Sequence, residues 1–527
     1  MLSLDGLHQH RTPRPYPFGP VSIADILVAG LRAHPERLAL IDGDRTWTWT
    51  ELDDAVRSIA DGISPGDQIW WALGNCAEAV IGTLATFRAG GILVGMSGIP
   101  PQRAPSIEPW LTEQIGQTMV IDSPAAFDAR TARGTPTVSA VNERPHIDPA
   151  APAAVAFTSG TSGVAKAVVH SQRNLLWPGL ISAELEPPTP EERIGTPLSL
   201  SILNITVLGP LSALLRGSTF VVLDRTHAVG FAEDIERFGV TRVFVVPTLL
   251  HDLVDQDVPL ERLRSLDRVI VGGSGTDPRL LTAFTERFGV RPTLSYGLTE
   301  APTGVVRESL DDPIGSGRGF PLPHIEVEIQ DATGATAPTG AEGEVCIRPA
   351  TSGAWAHTWT PTLGYLGDRD RNERLFANGV LHTGDLGHLD EDGALLVTGR
   401  MSNLIIRGGM NVDPIAVEHV LLSDPSVTEA VVVAIPDDRL GERVGAVIVP
   451  RSGHAIDRDR LRRAVREQIS SHSVPDAIVT DTEIAKTEMG KVIRSLPPST
   501  FDQGDSDFGD ASPITTTLRT DGANVEE

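Results

Sequence analysis

Cysteine is nearly absent from this chain of 527 residues, which contains only Cys76 and Cys346. The two residues lie far apart and belong to no CxxC pair or cysteine–histidine cluster. The sequence therefore predicts neither a disulfide framework nor a zinc site. A chain of this kind suits a reducing compartment, and we expect a cytoplasmic protein.

Long apolar runs are also missing. Stretches such as VFVVPTLL from Val243 stop far short of the length that crosses a bilayer. The first twenty residues mix His, Arg and Pro and lack the unbroken apolar segment of a secretory signal. We therefore expect neither a membrane span nor a secretory leader.

Positive charge is scarce, because 44 Lys and Arg face 69 Asp and Glu and the net charge is −25. A surface of this sign repels a nucleic-acid backbone and an anionic lipid surface, so neither is expected as a partner. The acidic balance says little about catalysis, since solubility explains it equally well.

The length and the patterning indicate more than one folding unit. After an N-terminal extension, 1–20, helix-like and strand-like segments alternate through a large predicted α/β domain, 21–400, with layered sheets and helices. Its last part, about 315–400, carries short alternating strands and is predicted to be a β-rich subdomain. A small α+β domain, 401–498, and an acidic, disordered tail, 499–527, are predicted to follow.

The strongest local signal is FTSGTSGVAKAVVHS, from Phe157 to Ser171. Glycines let backbone amides approach phosphate oxygens, hydroxyls add donors, and a lysine adds a compact positive charge. In isolation the segment could equally be a flexible surface loop, and its spacing is not that of a Walker loop, because KAVVHS is predicted to form a strand. The candidate phosphate-binding residues are Thr158, Ser159, Gly160, Thr161, Ser162, Gly163 and Lys166.

A second cluster, SYGLTE, ends at Glu300, whose hard carboxylate oxygens suit magnesium. The three other candidates offer stacking on a purine, close backbone approach and a phosphate contact, and they are Tyr296, Gly297 and Thr299. Taken alone, the hexapeptide is more simply a strand end with a solvated glutamate.

Two further clusters lie near the C-terminus. In the segment from Leu381 to Val412, Asp385 can accept ribose hydroxyls and Arg400 can donate to the sugar or a phosphate. The plain alternative is a hairpin with a surface ion pair. In KTEMGKVIR, Lys491 follows a glycine, and by itself it is an ordinary solvated charge.

Together and in this order, the clusters TSGTSGVAK, YGLTE, HTGDLG, IIRGGMNV and MGKV resemble the adenylate-forming superfamily of acyl-CoA synthetases, luciferase and nonribosomal peptide adenylation domains. The resemblance extends from about Val21 to Leu496 and is nearest to the AMP-forming acyl-CoA ligase branch. It implies a large α/β N-terminal domain and a mobile C-terminal lid. It also implies ATP, Mg²⁺ and coenzyme A, with a small carboxylic acid as substrate.

By this resemblance, the residues of the glycine-rich loop hold phosphates, Gly273 and Ser274 border the adenine with Tyr296, and Thr161 joins Glu300 at magnesium. Asp385 and Arg400 hold the ribose. Lys491 reaches the carboxylate and the bridging phosphate oxygen. Gly409 lies beside the pantetheine tunnel.

Several positions depart from the usual pattern. Leu200 stands where many relatives carry an aromatic residue or His at the acyl pocket, and Ser402 stands where the hinge usually carries Lys or Asp. The leading hypothesis is transfer of the acyl group to CoA. Transfer to a carrier-protein thiol or a nitrogen nucleophile, and a catalytically silent nucleotide- or acyl-binding protein, remain as alternatives. We expect a monomer or a homodimer.

Overall fold

The computed structural model describes most of the chain as an α/β fold, as predicted. The described residues are 6–8, 22–96, 112–113, 115–123, 147–158, 166–256, 258–272, 276–484, 486, 492, 494, 496, 498–501 and 506–507. Within them, 25 strands form three sheets.

The first sheet has six strands, and its central members are parallel and almost fully buried. Parallel strands covered on both faces read as continuous apolar runs, and this explains segments such as QIWW and ILVGM. Two strands at one edge run antiparallel. In spatial order the strands are β17 (Gly364–Tyr365), β7 (Lys166–Ser171), β6 (Pro152–Thr158), β4 (Ile92–Met96), β3 (Gln68–Trp71) and β5 (Thr118–Ile121).

The second sheet has thirteen strands and joins a parallel half to an antiparallel half. The parallel half contains β1 (Leu38–Asp42), β8 (Arg193–Thr196), β9 (Thr219–Val222), β10 (Arg242–Val245), β11 (Arg268–Val271) and β12 (Pro292–Leu298), with β2 (Arg45–Thr48) antiparallel at its edge. The antiparallel half adds β13 (Ala301–Glu308), β14 (Gly319–Pro321), β15 (Ile325–Gln330), β16 (Gly343–Pro349), β18 (Leu381–Leu389) and β19 (Leu395–Arg400). The strands of the region predicted to be β-rich therefore continue the main sheet through β12 and β13.

The helices cover these sheets with amphipathic faces, and several begin and end as their sequences predict. The helix after Thr48 starts with a capping box to Glu51, and the helix after Asp277 ends at Gly289, which has φ 73°. Up to residue 400 the helices are α1 (Ile23–Ala33), α2 (Trp49–Ala60), α3 (Ala77–Arg88), α4 (Gln172–Leu175), α5 (Trp177–Leu185), α6 (Leu203–Thr206), α7 (Ser212–Leu215), α8 (Ala228–Phe238), α9 (Pro247–Asp255), α10 (Pro278–Phe288) and α11 (Arg369–Leu375).

The C-terminal region carries a third sheet of six strands with its own apolar core. A helix begins at Pro414, as the sequence predicts, because Asp413 caps it and proline suits its first position. The elements are β20 (Ile405–Arg407), β21 (Met410–Val412), α12 (Pro414–Leu422), β22 (Val427–Asp437), β23 (Gly441–Pro450), α13 (Arg458–Gln468), β24 (Ala477–Thr480) and β25 (Ser506–Asp507).

The prediction of a disordered tail from Ser499 is wrong for its first residues. Phe501 is buried and packs into an apolar cluster with strand residues of the third sheet. Beyond it, β25 pairs with β24 in parallel. An aromatic ring in a polar segment can still anchor the chain where the sheet leaves an apolar edge open. Residues 508–527 lie outside the described part of the chain.

Part of the N-terminal extension also contacts the first domain. The His8 backbone N–H donates to the Leu363 carbonyl at 2.9 Å, and the His8 ring stacks on Phe376 with centroids 4.5 Å apart. Asn372 Nδ2 donates to the Gly6 carbonyl at 2.9 Å. Residues 6–8 thus lie beside β17.

Among the described residues, none of the helices is both long and apolar enough to cross a bilayer.

Candidate active site

Three strands of the second sheet bring Tyr296, Asp385 and Arg400 together. Asp385 on β18 faces Arg400 on β19 in the antiparallel register. Arg400 Nε donates to Asp385 Oδ1 at 2.6 Å, and the Tyr296 hydroxyl donates to Asp385 Oδ2 at 2.6 Å. Each carboxylate oxygen therefore has one donor and keeps further acceptor capacity.

Burial and neighbouring charges shift the pKa values of Tyr296 and Arg400. Asp385 is 5% exposed. Burial and the neighbouring Asp385 carboxylate raise the pKa of Tyr296, so its hydroxyl stays protonated and remains a donor. Burial alone would lower the pKa of Arg400, but the charge and hydrogen bond of Asp385 outweigh it and raise that pKa. The group can thus offer a nucleoside both a fixed carboxylate and a fixed guanidinium.

Glu300 lies at the tight turn between β12 and β13, where Leu298 pairs with Ala301. The Tyr365 hydroxyl donates to Glu300 Oε1, and the Thr362 backbone N–H donates to the Glu300 carbonyl at 3.0 Å. Tyr365 belongs to β17, which pairs with β7. Glu300 therefore links the edge of the first sheet to the turn between β12 and β13 in the middle of the second sheet.

Lys166 opens β7 opposite Thr158, and its ammonium lies 5.9 Å from the centroid of the Tyr365 ring. Arg371 approaches the same ring, with its guanidinium carbon 5.1 Å from the centroid. Burial and the charge of Arg371 lower the pKa of Lys166, and Glu300 opposes this shift. Two cations and one carboxylate thus lie around Tyr365, whose strand β17 pairs with β7, the strand that leads out of the glycine-rich segment.

The donor set around Glu300 fits a magnesium ion. Oε1 is engaged by Tyr365, and within the described chain no hydrogen bond reaches Oε2. A carboxylate oxygen of this kind is a preferred ligand of Mg²⁺.

The structure brings together several of the predicted site residues, namely Lys166, Tyr296, Glu300, Asp385 and Arg400, with Gly297 and Thr299 in the same segment and the Thr158 backbone at the end of β6. Ser159, Gly160, Thr161, Ser162 and Gly163, together with Gly273, Ser274 and Lys491, lie outside the described residues. Their roles stay predictions.

Gly409 lies in the turn between β20 and β21 with φ 84°. A Cβ added there meets no atom within 4 Å, so backbone conformation is the reason for glycine that the described residues supply. Its place beside a pantetheine tunnel stays a prediction.

Comparison with known proteins gives the family. The model of the AMP-binding enzyme family matches residues 28–104 and 99–353, which together make up more than half of the chain. This chain is an AMP-binding enzyme family member. The model of that family's C-terminal domain matches residues 416–491. The predicted resemblance is therefore confirmed.

Individual members of the AMP-binding enzyme family align over most of the chain. Indoleacetate–CoA ligase of Aromatoleum aromaticum is 31% identical over 360 residues, 67% of this chain and 68% of the relative. o-Succinylbenzoate-CoA synthetase of Bacillus subtilis, solved with its acyl-adenylate intermediate, is 27% identical over 89% of this chain and 96% of its own, with a TM-score of 0.73. Amide bond synthetase McbA of Marinactinospora thermotolerans is 29% identical over 89% and 98%, also with a TM-score of 0.73.

Sequence reasoning missed three residues of this candidate site. Tyr365 and Arg371 belong to no motif. The pairing of β17 with β7 brings Tyr365 to Glu300 and Lys166, and Arg371 reaches the Tyr365 ring from the following helix, α11. Glu344 accepts from His382 Nδ1 at 2.8 Å and from the Gly384 backbone N–H at 3.0 Å, so it holds the segment that leads into Asp385. The only sequence signal for Glu344 was a charged residue near the start of the mainly apolar strand GEVCIRP.

Proposed function

We propose that this chain is an AMP-forming acid–CoA ligase: it uses ATP to convert a carboxylic acid into an acyl adenylate, releases pyrophosphate, and passes the acyl group to the thiol of coenzyme A. The observation that carries the proposal is the meeting of Tyr296, Asp385 and Arg400 on three strands of the second sheet in an AMP-binding family member. The named activities of indoleacetate–CoA ligase and o-succinylbenzoate-CoA synthetase support the choice of acceptor.

In the proposed first half-reaction, Asp385 accepts the ribose hydroxyls and Arg400 donates to the same nucleoside. Tyr296 and the segment of Gly273 and Ser274 border the adenine. Because the carboxylate of the acid and the α-phosphate are both anions, their approach requires neutralisation by positive charge. Lys166 supplies it on the phosphate side, where the loop from Ser159 to Gly163 adds hydrogen-bond donors, and Lys491 supplies it on the side of the acid.

Glu300 is the proposed magnesium ligand, with Thr161 as its partner. When bound, Mg²⁺ would neutralise phosphate oxygens and make pyrophosphate a better leaving group. Tyr365 holds Glu300 from the other side, and burial and the Glu300 charge raise the pKa of Tyr365, so that it stays a donor. The protein's part is thus to orient one carboxylate oxygen and leave the other free.

In the proposed second half-reaction, the C-terminal domain, 401–498, turns about Ser402 as a mobile lid and admits the thiol past Gly409. The described hinge segment supports a pivot: β19 ends at Arg400, a single 3₁₀ turn spans Met401–Asn403, and β20 begins at Ile405. Removing Lys491 should therefore impair adenylation while leaving thiol transfer from a supplied acyl adenylate intact.

The test is pyrophosphate release from ATP in the presence of candidate acids, followed by CoA-dependent release of AMP. The screen begins with aryl and arylacetic acids, because the compared relatives act on such acids by name, and continues through short, medium and long acyl acids. Acid-dependent pyrophosphate release that is lost in Lys491→Ala is the expected result. ATP binding without any acid-dependent exchange of labelled pyrophosphate into ATP would instead identify a catalytically silent binding protein.

A second candidate keeps adenylation but delivers the acyl group to a nitrogen nucleophile. The likeness to the amide bond synthetase McbA favours it. The same reaction mixture distinguishes the acceptors when CoA, amines and a phosphopantetheinyl carrier protein are supplied in turn after pyrophosphate release. The CoA proposal fails if amide appears rapidly and no acyl-CoA forms.

A further inference from the structure

A second group of charged side chains lies between the second sheet and the end of α5, and the nucleotide chemistry above does not use it. Arg242 and Arg268 open the neighbouring strands β10 and β11, and Arg307 lies on β13. Glu186 caps the end of α5 and Arg216 caps the end of α7. The six members of this arginine cluster are Glu186, Glu192, Arg216, Arg242, Arg268 and Arg307.

The two glutamates are shared among all four arginines. Glu186 pairs with Arg242 at 2.6 Å, Arg268 at 2.8 Å and Arg307 at 3.0 Å. Glu192 receives a two-pronged contact from Arg216 at 2.8 and 2.6 Å, and Arg242 Nε lies 3.5 Å from it. Burial alone would raise the pKa of Glu186, but Arg242, Arg307 and Arg268 outweigh burial and lower it. Both carboxylates are thus already committed.

The cluster therefore carries an excess of positive charge. Four guanidinium groups face two carboxylates, and among the described ion pairs no third carboxylate lies within 4.0 Å of these arginines. Burial and the charges of Arg268, Arg242 and Arg216 lower the pKa of Arg307, with Glu186 opposing. Two positive charges remain without a counterion in a largely buried place, where uncompensated charge is costly.

Arg242 shows that the cluster has fewer hydrogen-bond acceptors than donors. The residue is 6% exposed, and its Nη1 atom is buried without a hydrogen-bond partner, although Nη2 donates to Glu186. The side chains of Arg268 and Arg307 are 22% and 29% exposed, so the cluster opens to solvent on their side. A guanidinium fork matches the oxygens of an oxyanion.

We propose that the arginine cluster is a binding site for a divalent oxyanion of the sulfate or hydrogen phosphate class. Two negative charges balance the excess, and an oxyanion bound at the opening formed by Arg268 and Arg307 supplies the acceptors that the cluster lacks. The inference is independent of the proposed ligase activity. The competing explanation is that water and the carbonyl ends of α5 and α7 satisfy the arginines without any ion, since helix C-termini carry partial negative charge.

The experiment follows thermal unfolding of the full chain while sulfate or phosphate replaces chloride at constant ionic strength. We expect a saturable rise in melting temperature of a few degrees, because an ion that binds only the folded state stabilises it by mass action. In Arg307→Gln, the half-saturating concentration should rise by about 10-fold, the loss of one charge-assisted contact. Arg242→Met should abolish the saturable part.

Arg318→Gln is the matched control. Its side chain is 24% exposed and pairs with Asp312, Asp390 and Asp392, so the variant removes the same charge from a group rich in carboxylates. It should keep the saturable response with an unchanged half-saturating concentration, whereas the stabilisation that sulfate gives by exclusion from surfaces does not saturate and should be alike in all the variants. Calorimetric titration with phosphate should show binding heat in the wild type and in Arg318→Gln.

Three results would overturn the proposal. One is a sulfate response of the wild type that never saturates or that chloride reproduces. Another is an unchanged half-saturating concentration in Arg307→Gln, which also decides the matter if Arg242→Met does not fold. The third is a melting temperature in chloride alone that is clearly lower for Arg307→Gln than for Arg318→Gln, because an arginine in surplus should cost little to remove.

Discussion

The two carboxylates of the candidate site are built differently. Asp385 is buried, and both of its oxygens already accept a hydrogen bond, from Arg400 and from Tyr296. Glu300 is half-buried at a turn, and among the described side chains only the Tyr365 hydroxyl donates to it. Asp385 is thus held rigidly from two sides, whereas Glu300 is held from one.

This difference suits the two proposed ligands. A ribose offers two hydroxyls of fixed geometry, so a rigid carboxylate loses little entropy on binding it. Mg²⁺ requires near-ideal octahedral geometry and exchanges water reluctantly, so a carboxylate with one free oxygen on a turn can adjust to it. Four substitutions test whether rigidity and freedom have these separate consequences.

The largest effect is expected for Asp385→Ala. Two charge-assisted hydrogen bonds to the ribose disappear, at about 1.5–3 kcal/mol each, and kcat/KM for ATP should fall by about 10³-fold. The measurement is acid-dependent pyrophosphate release at varied ATP. Asp390→Ala is the control, because Asp390 pairs with Arg318 at 2.7 Å in the same hairpin and should leave KM for ATP unchanged. Equal losses in both variants would mean that the hairpin merely needs its ion pairs.

Glu300→Gln should have the second largest effect. The amide keeps an oxygen for Tyr365 but removes the negative charge, so turnover should fall by about 10²-fold and the half-saturating Mg²⁺ concentration should rise. Titration of pyrophosphate release with Mg²⁺ at saturating ATP measures both. An unchanged magnesium dependence would remove Glu300 from the metal and leave it a structural glutamate.

Tyr365→Phe should have a smaller effect on turnover and on the half-saturating Mg²⁺ concentration. Without the hydroxyl, Glu300 loses the donor that the structure gives it and can turn toward Lys166. We expect a loss of about 5–10-fold, less than the full value of a hydrogen bond to a charged group, because Glu300 keeps its charge and its free oxygen. It should appear as a higher magnesium requirement with little change in KM for ATP. A change in KM alone would contradict the link from Tyr365 to Glu300.

Tyr296→Phe removes the matching hydroxyl, the one that donates to Asp385, and should have the smallest effect of the four substitutions. Asp385 keeps Arg400 after the hydroxyl is removed, and the ring that would stack on adenine stays. KM for ATP should rise only about 2–3-fold, with the magnesium dependence unchanged. If Tyr296→Phe costs more than Tyr365→Phe, then Asp385 is not the more securely held of the two carboxylates.

The sequence predicted those parts of the site that lie within one motif or on neighbouring strands. Asp385 and Arg400 were predicted as a pair, and their strands are antiparallel partners. The segment after the glycine-rich loop was predicted to be a strand rather than a helix, and Lys166–Ser171 is β7. Both follow from local patterning, which short-range backbone preferences express directly.

The residues that prediction missed are joined by contacts across long stretches of chain. Tyr365 reaches Glu300 because β17 adds to the edge of the first sheet, about which the composition around Gly364 gives no signal. Phe501 was assigned to a disordered tail, yet it fills an apolar gap beside β24. In both cases the decisive partner is set by which edge or face the rest of the fold leaves open.

The arginine cluster illustrates the same limit. Arg242 and Arg268 each look like an ordinary charge at the start of a strand, and Glu186 follows a helix whose buried face is apolar. Their convergence results from the parallel register of β10 and β11 and from the position of α5 against β13. The excess of positive charge in the arginine cluster therefore arises only when these strands and α5 have packed together.

By itself, the amino-acid sequence determined the elements, the family and the kinds of groups proposed to bind a nucleotide, because capping, periodicity and motif chemistry act over a few residues. The tertiary structure alone decided which carboxylate is held from two sides, which from one, and where guanidinium groups outnumber their partners. Burial and the strength of an ion pair depend on everything that packs around a side chain, and that surrounding exists only once distant strands have met.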